Sequence, residues 1–345
     1  MQLGSFLRQF TNGAEKDAHH PLNAAFYEDF SALIAAARVY NPWFTEQNVR
    51  QAAGAIGESL QEEKLVEWLS HYIARLNTEK PVRVAVIMAG NIPMVGFHDM
   101  MCVLLSGNSF LGKLSSDDKL LLPFLSKLLI AAAPEFEGRI AFTEDRLTDF
   151  QAVIATGSNN SARYFDYYFG KYPHIIRKNR NSVCVLSGDE NEGQLTLLGE
   201  DIFQYFGLGC RNVSKLFVPE GYDFDRLYKS LIGFADVITN NKYANNYEYN
   251  RTVLLMGSDP TLLDNNFLLL KYDEGYSSPV GVLYFEFYDD LNALNERLKK
   301  EQEQIQCIVS ACEEIDNVLP FGTAQCPALG DYADGVDTME FLINL

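Results

Sequence analysis

The segment Val82-Arg83-Val84-Ala85-Val86-Ile87-Met88-Ala89-Gly90 marks the point at which the character of the chain changes. Its β-branched residues favour a strand, and Ala89-Gly90 favours a break directly after it. Strand-like runs recur downstream, and apolar stretches of helix length such as Leu120 to Ala133 separate them. These runs cover residues 109–114, 139–143, 152–156 and 182–186. Strands joined by helix-length connections predict a mostly parallel sheet with helices on both faces.

A helical region precedes this α/β region, and a second α/β region follows it. Residues 20–78 carry apolar side chains at spacings of three and four, which predicts helices. A second α/β region follows the turn-rich residues 187–192, and the Asn- and Tyr-rich residues 240–250 within it favour a loop. Further elements are expected in this region as strands at 215–219 and 280–287 and as a helical stretch at 225–238.

Composition limits the possible classes of protein. A chain of 345 residues that is 47% hydrophobic can bury two cores, or one large α/β unit. A formal net charge of −18 argues against nucleic acid or an anionic membrane as the main partner. The N-terminus lacks the apolar stretch of a secretory signal, and no run of about 18 apolar residues occurs. We therefore expect a cytoplasmic protein without membrane insertion.

The cysteines and histidines show no metal-binding spacing. The six cysteines are Cys102, Cys184, Cys210, Cys307, Cys312 and Cys326, and the five histidines are equally dispersed. The only close cysteine pair, at 307 and 312, has no histidines spaced to complete a site. We expect reduced thiols and no metal.

Cys210 has the setting of a nucleophile, in the stretch Tyr205-Phe206-Gly207-Leu208-Gly209-Cys210. Glycine lets the backbone bend sharply and lets a substrate approach it. A cysteine is the side chain that is most nucleophilic without help. The alternative is that Cys210 only packs, as free cysteines often do. Cys184, inside an apolar strand-like run, fits that packing role.

Three further motifs precede Cys210, each after a predicted strand: Gly90-Asn91-Ile92-Pro93, Gly112-Lys113-Leu114-Ser115-Ser116 and Ala155-Thr156-Gly157-Ser158. Their order and spacing resemble the aldehyde dehydrogenase superfamily, and most closely the acyl-CoA reductase family that includes LuxC. The resemblance runs from about residue 81 to the C-terminus. No GxGxxG fingerprint follows the first strand, so an ordinary Rossmann dinucleotide loop is not expected.

The resemblance implies an aldehyde dehydrogenase-like α/β fold, with a parallel-sheet cofactor domain, an α/β catalytic domain and a helical N-terminal segment. The expected parts are the helical segment 1–80, the cofactor-binding domain 81–190, the catalytic cysteine domain 191–318 and a C-terminal tail 319–345. It also implies a homo-oligomer.

For the chemistry, the resemblance implies that Asn91 binds the substrate oxyanion together with the backbone N–H of Cys210. A thiolate that attacks a thioester creates an alkoxide, which needs preorganised donors. The alternative for Asn91 is that it caps a helix beginning near Pro93.

For the cofactor, Lys113 and Ser115 resemble the family's Lys-x-Ser-Glu, which holds the adenosine ribose. Ser116 stands where the glutamate would be. A carboxylate there would accept the 2′-hydroxyl of NAD and repel the 2′-phosphate of NADP. Its absence predicts NADPH, with NADH as the alternative. Lys113 could equally be an ordinary exposed lysine at a strand end.

Two weaker matches complete the predicted cofactor site. Gly157 and Ser158 match the Gly-Ser that opens the helix beside the pyrophosphate, where free N–H groups favour anions. Alone, this pair would indicate only a turn. Glu274 is the candidate for contact with the nicotinamide ribose, from a loose match of residues 278–283 to the family's Glu-x-Phe-Gly-Pro-Val. It is equally well explained as a solvated loop acid.

One departure from the family's pattern concerns hydrolysis of the acyl-enzyme. Alignment places Arg177, 33 residues before Cys210, where hydrolytic members carry a glutamate that activates water, and residues 177–186 contain no carboxylate. Without that base the acyl-enzyme should be hydrolysed poorly. A triad of Cys210 with His98 and Asp99 is not expected, because this type of cysteine works without a histidine partner.

The sequence thus predicts an NAD(P)H-dependent acyl-CoA reductase that converts an acyl thioester to an aldehyde through a thioester on Cys210. The substrate is acyl-CoA or another acyl thioester. The alternative is an acyl-binding or acyl-transfer protein that uses the same cysteine without hydride transfer.

Overall fold

The computed structural model describes residues 1–76, 80–157, 159–257 and 261–345. In chain order, its helices are α1 (Gln2–Arg8), α2 (Asn23–Tyr40), α3 (Glu46–Ser59), α4 (Glu62–Ser70), α5 (Phe97–Leu105), α6 (Leu121–Ala132), α7 (Asn159–Phe169), α8 (Glu192–Phe203), α9 (Phe224–Ser230), α10 (Asn241–Met256), α11 (Leu291–Lys300) and α12 (Thr338–Ile343). Its strands are β1 (Arg83–Ile87), β2 (Ser109–Lys113), β3 (Ile140–Thr143), β4 (Ala152–Thr156), β5 (His174–Arg177), β6 (Asn181–Val185), β7 (Val213–Pro219), β8 (Leu263–Asp264), β9 (Leu269–Tyr272), β10 (Val282–Tyr288), β11 (Ile305–Ser310) and β12 (Val318–Leu319).

The chain forms two compact units. The first contains Met1–Lys178 and Ala328–Leu345, and the second contains Asn179–Pro327. The first boundary therefore falls earlier than the predicted one at residue 190, because β6 pairs with strands of the second unit. The end of the predicted tail returns to the first unit, where α12 packs against α5. The assignment of cofactor-binding and catalytic roles to these units stays a prediction.

The first unit contains an all-parallel sheet in the order β3-β2-β1-β4-β5. The β-branched and alanine residues at the centre of β1, Val84 to Val86, are completely buried. They pair with β2 on one side and with β4 on the other. A strand buried on both faces is typical of parallel sheets covered by helices. Helices α1 to α4 form the helical N-terminal region that the sequence predicts.

The second unit contains a sheet in the order β12-β11-β6-β7-β10-β9-β8, parallel throughout except for the β8–β9 pair. Alternate side chains of its central strands enter two separate cores. Cys184 and Leu216 belong to one core, whereas Val183 and Phe217 belong to the other. The predicted burial of Cys184 is confirmed, since none of its surface is exposed.

The prediction of a loop at 240–250 is wrong, because this segment forms the first part of α10. The side chain of Asn240 caps the helix by accepting hydrogen bonds from the N–H groups of Lys242 and Tyr243. Tyr243 and Tyr247, one helical turn apart, are both only 2% exposed. Burial of two aromatic side chains outweighs the poor helix propensity of the asparagines.

None of the helices within the described ranges is both long and apolar enough to cross a membrane.

Candidate active site

In the first unit, the predicted site residues follow the carboxyl ends of neighbouring strands. Asn91 follows β1, Lys113 ends β2, and Gly157 follows β4. From β1 the chain proceeds outward to β2 and β3, and it then crosses back to β4 on the other side. The strand order therefore reverses between β1 and β4. Ligands of open α/β sheets bind at such a reversal, outside the carboxyl ends of the strands.

The loops after β1 and β2 approach each other closely. A Cβ atom on Gly90 would lie 2.4 Å from Ser115 Oγ, so only glycine fits at this position. The backbone N–H of Met94 donates to Asp118 Oδ2 at 3.0 Å. Burial raises the pKa of Asp118 against the opposing effect of this bond. Asn41 Nδ2 donates to the carbonyl of Asp117 at 3.3 Å. The motifs around Asn91 and Ser115 thus form one connected surface.

Asn91 itself is exposed in the turn after β1. Helix α5 begins only at Phe97, and its N-cap is Gly96, which has no side chain to offer. Asn91 lies five residues before that cap. Asn91 is therefore not the N-cap of α5.

Lys113 lies beside Glu144, a residue that is not part of any of the motifs. Lys113 Nζ donates to the backbone carbonyl of Glu144, the residue directly after β3. The side chain of Glu144 is paired with Lys119. Ser115 is half-buried, and Ser116 is exposed. Only the pairing of β2 with β3 brings Glu144 here, and no local motif signals it.

Gly157 lies between β4 and α7, and Ser158 lies outside the described residues. The N–H of Gly157 donates to the carbonyl of Arg177 at 3.4 Å. A Cβ atom at Gly157 would lie 2.9 Å from the ring of Phe165, so the glycine allows α7 to pack closely on the strand end.

Arg177 and Asp99 form a buried ion pair. The guanidinium donates to both carboxylate oxygens, at 2.6 and 2.8 Å, and to Thr338 Oγ1 at 3.0 Å. His98 Nε2 is 2.9 Å from the carbonyl oxygen of Leu329, and burial lowers the pKa of His98. Asp99 and His98 thus both have polar partners within the first unit.

In the second unit, Cys210 is exposed in the loop between α8 and β7. Three consecutive residues before it have left-handed backbone conformations: Tyr205 (φ 52°), Phe206 (φ 60°) and Gly207 (φ 75°). Each non-glycine residue in this region costs about 1 kcal/mol or more. Backbone strain of this kind concentrates at functional sites, where the surrounding structure maintains it.

The end of α8 anchors this loop to the segment 322–324. Asp201, which is fully buried, accepts hydrogen bonds from the N–H groups of Gly322 at 2.7 Å and Ala324 at 2.9 Å. Arg211, next to Cys210, donates from Nε to the carbonyl of Ala324. Burial outweighs the two hydrogen bonds and raises the pKa of Asp201 to about 6.

The exposed Cys210 contrasts with Cys184, which is completely buried in β6. Burial raises the pKa of the Cys184 thiol well above its ordinary value. Because the thiolate is the reactive form, Cys184 is inert in this environment.

Glu274 is exposed in the segment between β9 and β10. The residues around it are held on β7: Ser214 Oγ donates to the carbonyl of Tyr276 at 2.7 Å, and Lys215 Nζ donates to the carbonyl of Asp273. Lys215 is fully buried and also pairs with Glu286 at 2.9 Å. Burial lowers the pKa of Lys215. Cys210 therefore precedes β7 in the chain, and the segment that carries Glu274 is bonded to the first residues of β7.

Among the residues that the structure describes, no three histidine, cysteine, aspartate or glutamate side chains converge as metal ligands.

The chain has the aldehyde dehydrogenase fold, which confirms the predicted fold class. Aldehyde dehydrogenase 21 from Physcomitrella patens, in complex with the reaction product succinate, matches 99% of this chain and 83% of its own, with a TM-score of 0.64 and 11% identity. Indole-3-acetaldehyde dehydrogenase of P. syringae, in complex with NAD+ and IAA, matches 91% of this chain and 71% of its own, with a TM-score of 0.60 and 14% identity. Lactaldehyde dehydrogenase from Escherichia coli matches 94% of this chain and 75% of its own, with a TM-score of 0.58 and 13% identity.

The family model described as acyl-CoA reductase (LuxC) matches residues 56–205, and this confirms the resemblance predicted from the sequence. The matched range includes Asn91, Lys113 and Gly157, and it ends five residues before Cys210. No curated protein matches the chain in sequence. The family match and the fold together indicate an oxidoreductase of the acyl-CoA reductase or aldehyde dehydrogenase type.

Proposed function

We propose that this chain is an acyl-CoA reductase that works through a thioester on Cys210. The thiolate attacks the carbonyl carbon of an acyl thioester, and the CoA thiolate leaves. A bound reduced nicotinamide nucleotide would supply the hydride for the resulting acyl-enzyme. The thiohemiacetal then collapses to the aldehyde and regenerates the Cys210 thiolate. The observation that carries the proposal is the exposed Cys210 after a left-handed, glycine-containing turn, in a chain with this fold.

We assign Asn91 and the backbone N–H of Cys210 as the donors for the oxyanion. Asn91 is exposed in a turn after β1, and the helix that follows is capped by Gly96 instead. Asn91 is therefore not the N-cap of that helix. A preorganised donor of this kind typically contributes a rate factor of roughly a hundred to a thousand.

We assign the cofactor to the carboxyl ends of β1, β2 and β4, with Lys113, Ser115 and Ser116 near the adenosine ribose and Gly157 and Ser158 near the pyrophosphate. Glu274 is the candidate for the nicotinamide ribose. Ser116 provides no charge that would repel a 2′-phosphate, and Glu144 is neutralised in part by Lys119. These features favour NADPH over NADH.

We further propose that the acyl-enzyme is hydrolysed slowly. Arg177 takes the place of the water-activating glutamate, and it is bound to Asp99 in a buried ion pair. A buried guanidinium cannot accept a proton from water. The substrate would therefore be acyl-CoA or another acyl thioester. The cytoplasmic location and the homo-oligomer expected from the sequence are separate parts of the same proposal.

An acyl-transfer protein with the same Cys210 thioester is the second candidate, because the nucleophile is better defined than the cofactor residues. Incubation with an acyl-CoA and NADPH distinguishes the two functions. The reductase consumes the nicotinamide absorbance and releases aldehyde. Transfer of the acyl group to a thiol acceptor without loss of that absorbance would favour the second candidate.

A further inference from the structure

Both backbone groups of Gly209 are bonded to one residue, Asn212. The N–H of Gly209 donates to Asn212 Oδ1 at 2.8 Å, and the N–H of Asn212 donates to the carbonyl of Gly209 at 3.1 Å. The carbonyl of Gly209 lies in the same rigid peptide plane as the N–H of Cys210. Asn212 therefore fixes the orientation of the N–H that we assign to the oxyanion.

The other end of the Asn212 amide is anchored to the end of α8. Its Nδ2 donates to the carbonyls of Asp201 at 3.0 Å, Ile202 at 3.4 Å and Gln204 at 2.9 Å. Asn212 is 2% exposed, so water cannot replace these partners. Asn212 is the residue directly before β7. Its amide thus connects the end of the strained loop to the end of α8, where the loop begins.

The second peptide plane of Cys210 is fixed by Ser182, in β6. Ser182 Oγ donates to the carbonyl of Cys210 at 2.9 Å, and Ser182 is completely buried. The same Oγ lies 3.0 Å from Cys307 Sγ. Because a hydroxyl has one proton, the Cys307 thiol is the donor in this second contact. Ser182 is therefore itself held in place from β11.

We propose that Asn212 and Ser182 are positioning residues that fix the two peptide planes on either side of Cys210. Two fixed planes determine the direction of the Cys210 N–H relative to the Cα–Cβ bond, and so where the oxyanion donor lies relative to the thiol. The inference rests on the proposed function. Both side chains are buried, so each acts on the transition state through Cys210. A displacement of about 1 Å in such a site can cost about a hundredfold in rate.

The test compares two reactions of the same thiol in Ser182→Ala, which removes a single hydroxyl. Acylation by an acyl-CoA creates an oxyanion, whereas alkylation by iodoacetamide does not. We expect the rate of acyl-enzyme formation, followed by intact mass, to fall about tenfold to a hundredfold. The alkylation rate should be unchanged. A merely structural role would change both reactions together.

Ser310→Ala is the matched control, because Ser310 is 4% exposed and donates to the carbonyl of Val185 at 2.8 Å in the same sheet. It should change neither rate. Asn212→Ala should repeat the selective loss of acylation. Its control is Asn295→Ala, which removes a buried amide that bonds Asp316 and lies away from Cys210 in the sequence.

An unchanged acylation rate in Ser182→Ala, or equal losses in both reactions, would overturn the positioning role. If the proposed function itself is wrong, the experiment has a different result. In that case the unmodified protein is alkylated at Cys210 by iodoacetamide and forms no acyl-enzyme with acyl-CoA. This outcome would overturn both conclusions.

Discussion

At the scale of single residues, the nucleophile in the loop around Cys210 can be predicted from the sequence, whereas the contacts that hold the loop cannot. The cysteine and its glycines stand together in the chain, so a nucleophile could be predicted there. Ser182 lies 28 residues away and contacts the Cys210 carbonyl only because β6 and β7 pair. Nothing in a local motif indicates that contact. The left-handed conformation of Tyr205 and Phe206 was equally unpredictable, since aromatic residues rarely adopt it.

Asn91→Ala should lower turnover by roughly a hundredfold or more, because one oxyanion donor is lost. The free energy of unfolding should change by less than about 0.5 kcal/mol, since Asn91 is exposed. Steady-state turnover and urea denaturation measure the two effects.

The matched control for this variant is Asn191→Ala. Asn191 caps α8, and its Oδ1 accepts from the N–H of Gln194 at 3.0 Å. That substitution should cost about 1 kcal/mol of stability and leave turnover unchanged. Near-normal turnover in Asn91→Ala would contradict the oxyanion role.

At the scale of elements, the strands were predicted more accurately than the segments between them. β1, β2 and β4 were predicted to within about two residues, which is the usual uncertainty of element ends. Strands β5, β8, β9, β11 and β12 were missed. Four of them have only two to four residues, which carry too little periodicity, and the six-residue β11 was not recognised either. Helix α10 was missed because its asparagines resemble a loop, and only the tertiary burial of Tyr243 and Tyr247 reveals the helix.

Ser116→Glu should shift the cofactor preference from NADPH toward NADH by about tenfold or more, the ratio that corresponds to about 1.4 kcal/mol. A carboxylate at the end of β2 would repel the 2′-phosphate. The measurement is kcat/KM with each nucleotide. Ser116→Gln, of equal size without the charge, is the control and should retain the native preference.

A strong native preference for NADH would contradict this cofactor argument and leave the nucleophile unaffected. Glu144, beside Lys113, would then be the carboxylate to examine, and Glu144→Gln should reduce that preference.

The stability that the contact between α8 and the segment 322–324 provides should depend on pH. The pKa of Asp201 rises from 3.8 to about 6 in the folded protein, so between these values the folded state binds more protons than the unfolded state. The contribution of Asp201 to stability is therefore present below pH 3.8 and is lost as the pH rises through about 6. Relative to Asp201→Asn, the unmodified protein should lose free energy of unfolding across this window. Parallel urea-denaturation profiles for the two proteins would contradict the assignment.

At the scale of the whole molecule, the sequence predicts the class of fold and only part of the candidate site. The helical N-terminal region and the parallel sheet follow from periodicity, and the aldehyde dehydrogenase fold confirms the class. A second α/β region is expected from the sequence, but the inclusion of β6 in it is not, because Asn179–Pro327 is defined by pairing between strands far apart in the chain. Strand pairing within each unit brings Ser182, Glu144 and Lys215 to the motifs, so no local pattern indicates these residues.

The most direct test of the Cys210 thioester is an intact-mass time course with an acyl-CoA. Without nucleotide, the unmodified protein should gain one acyl group. Addition of NADPH should remove this group, with one nucleotide oxidised and one aldehyde formed for each acyl group lost.

Three variants locate the acyl group on the chain. Cys184→Ala and Cys326→Ala, which remove a buried and an exposed thiol, should retain the adduct. Cys210→Ala should form none. An acyl adduct that persists in Cys210→Ala would contradict the account, and so would an adduct on Cys210 that NADPH and NADH both leave intact.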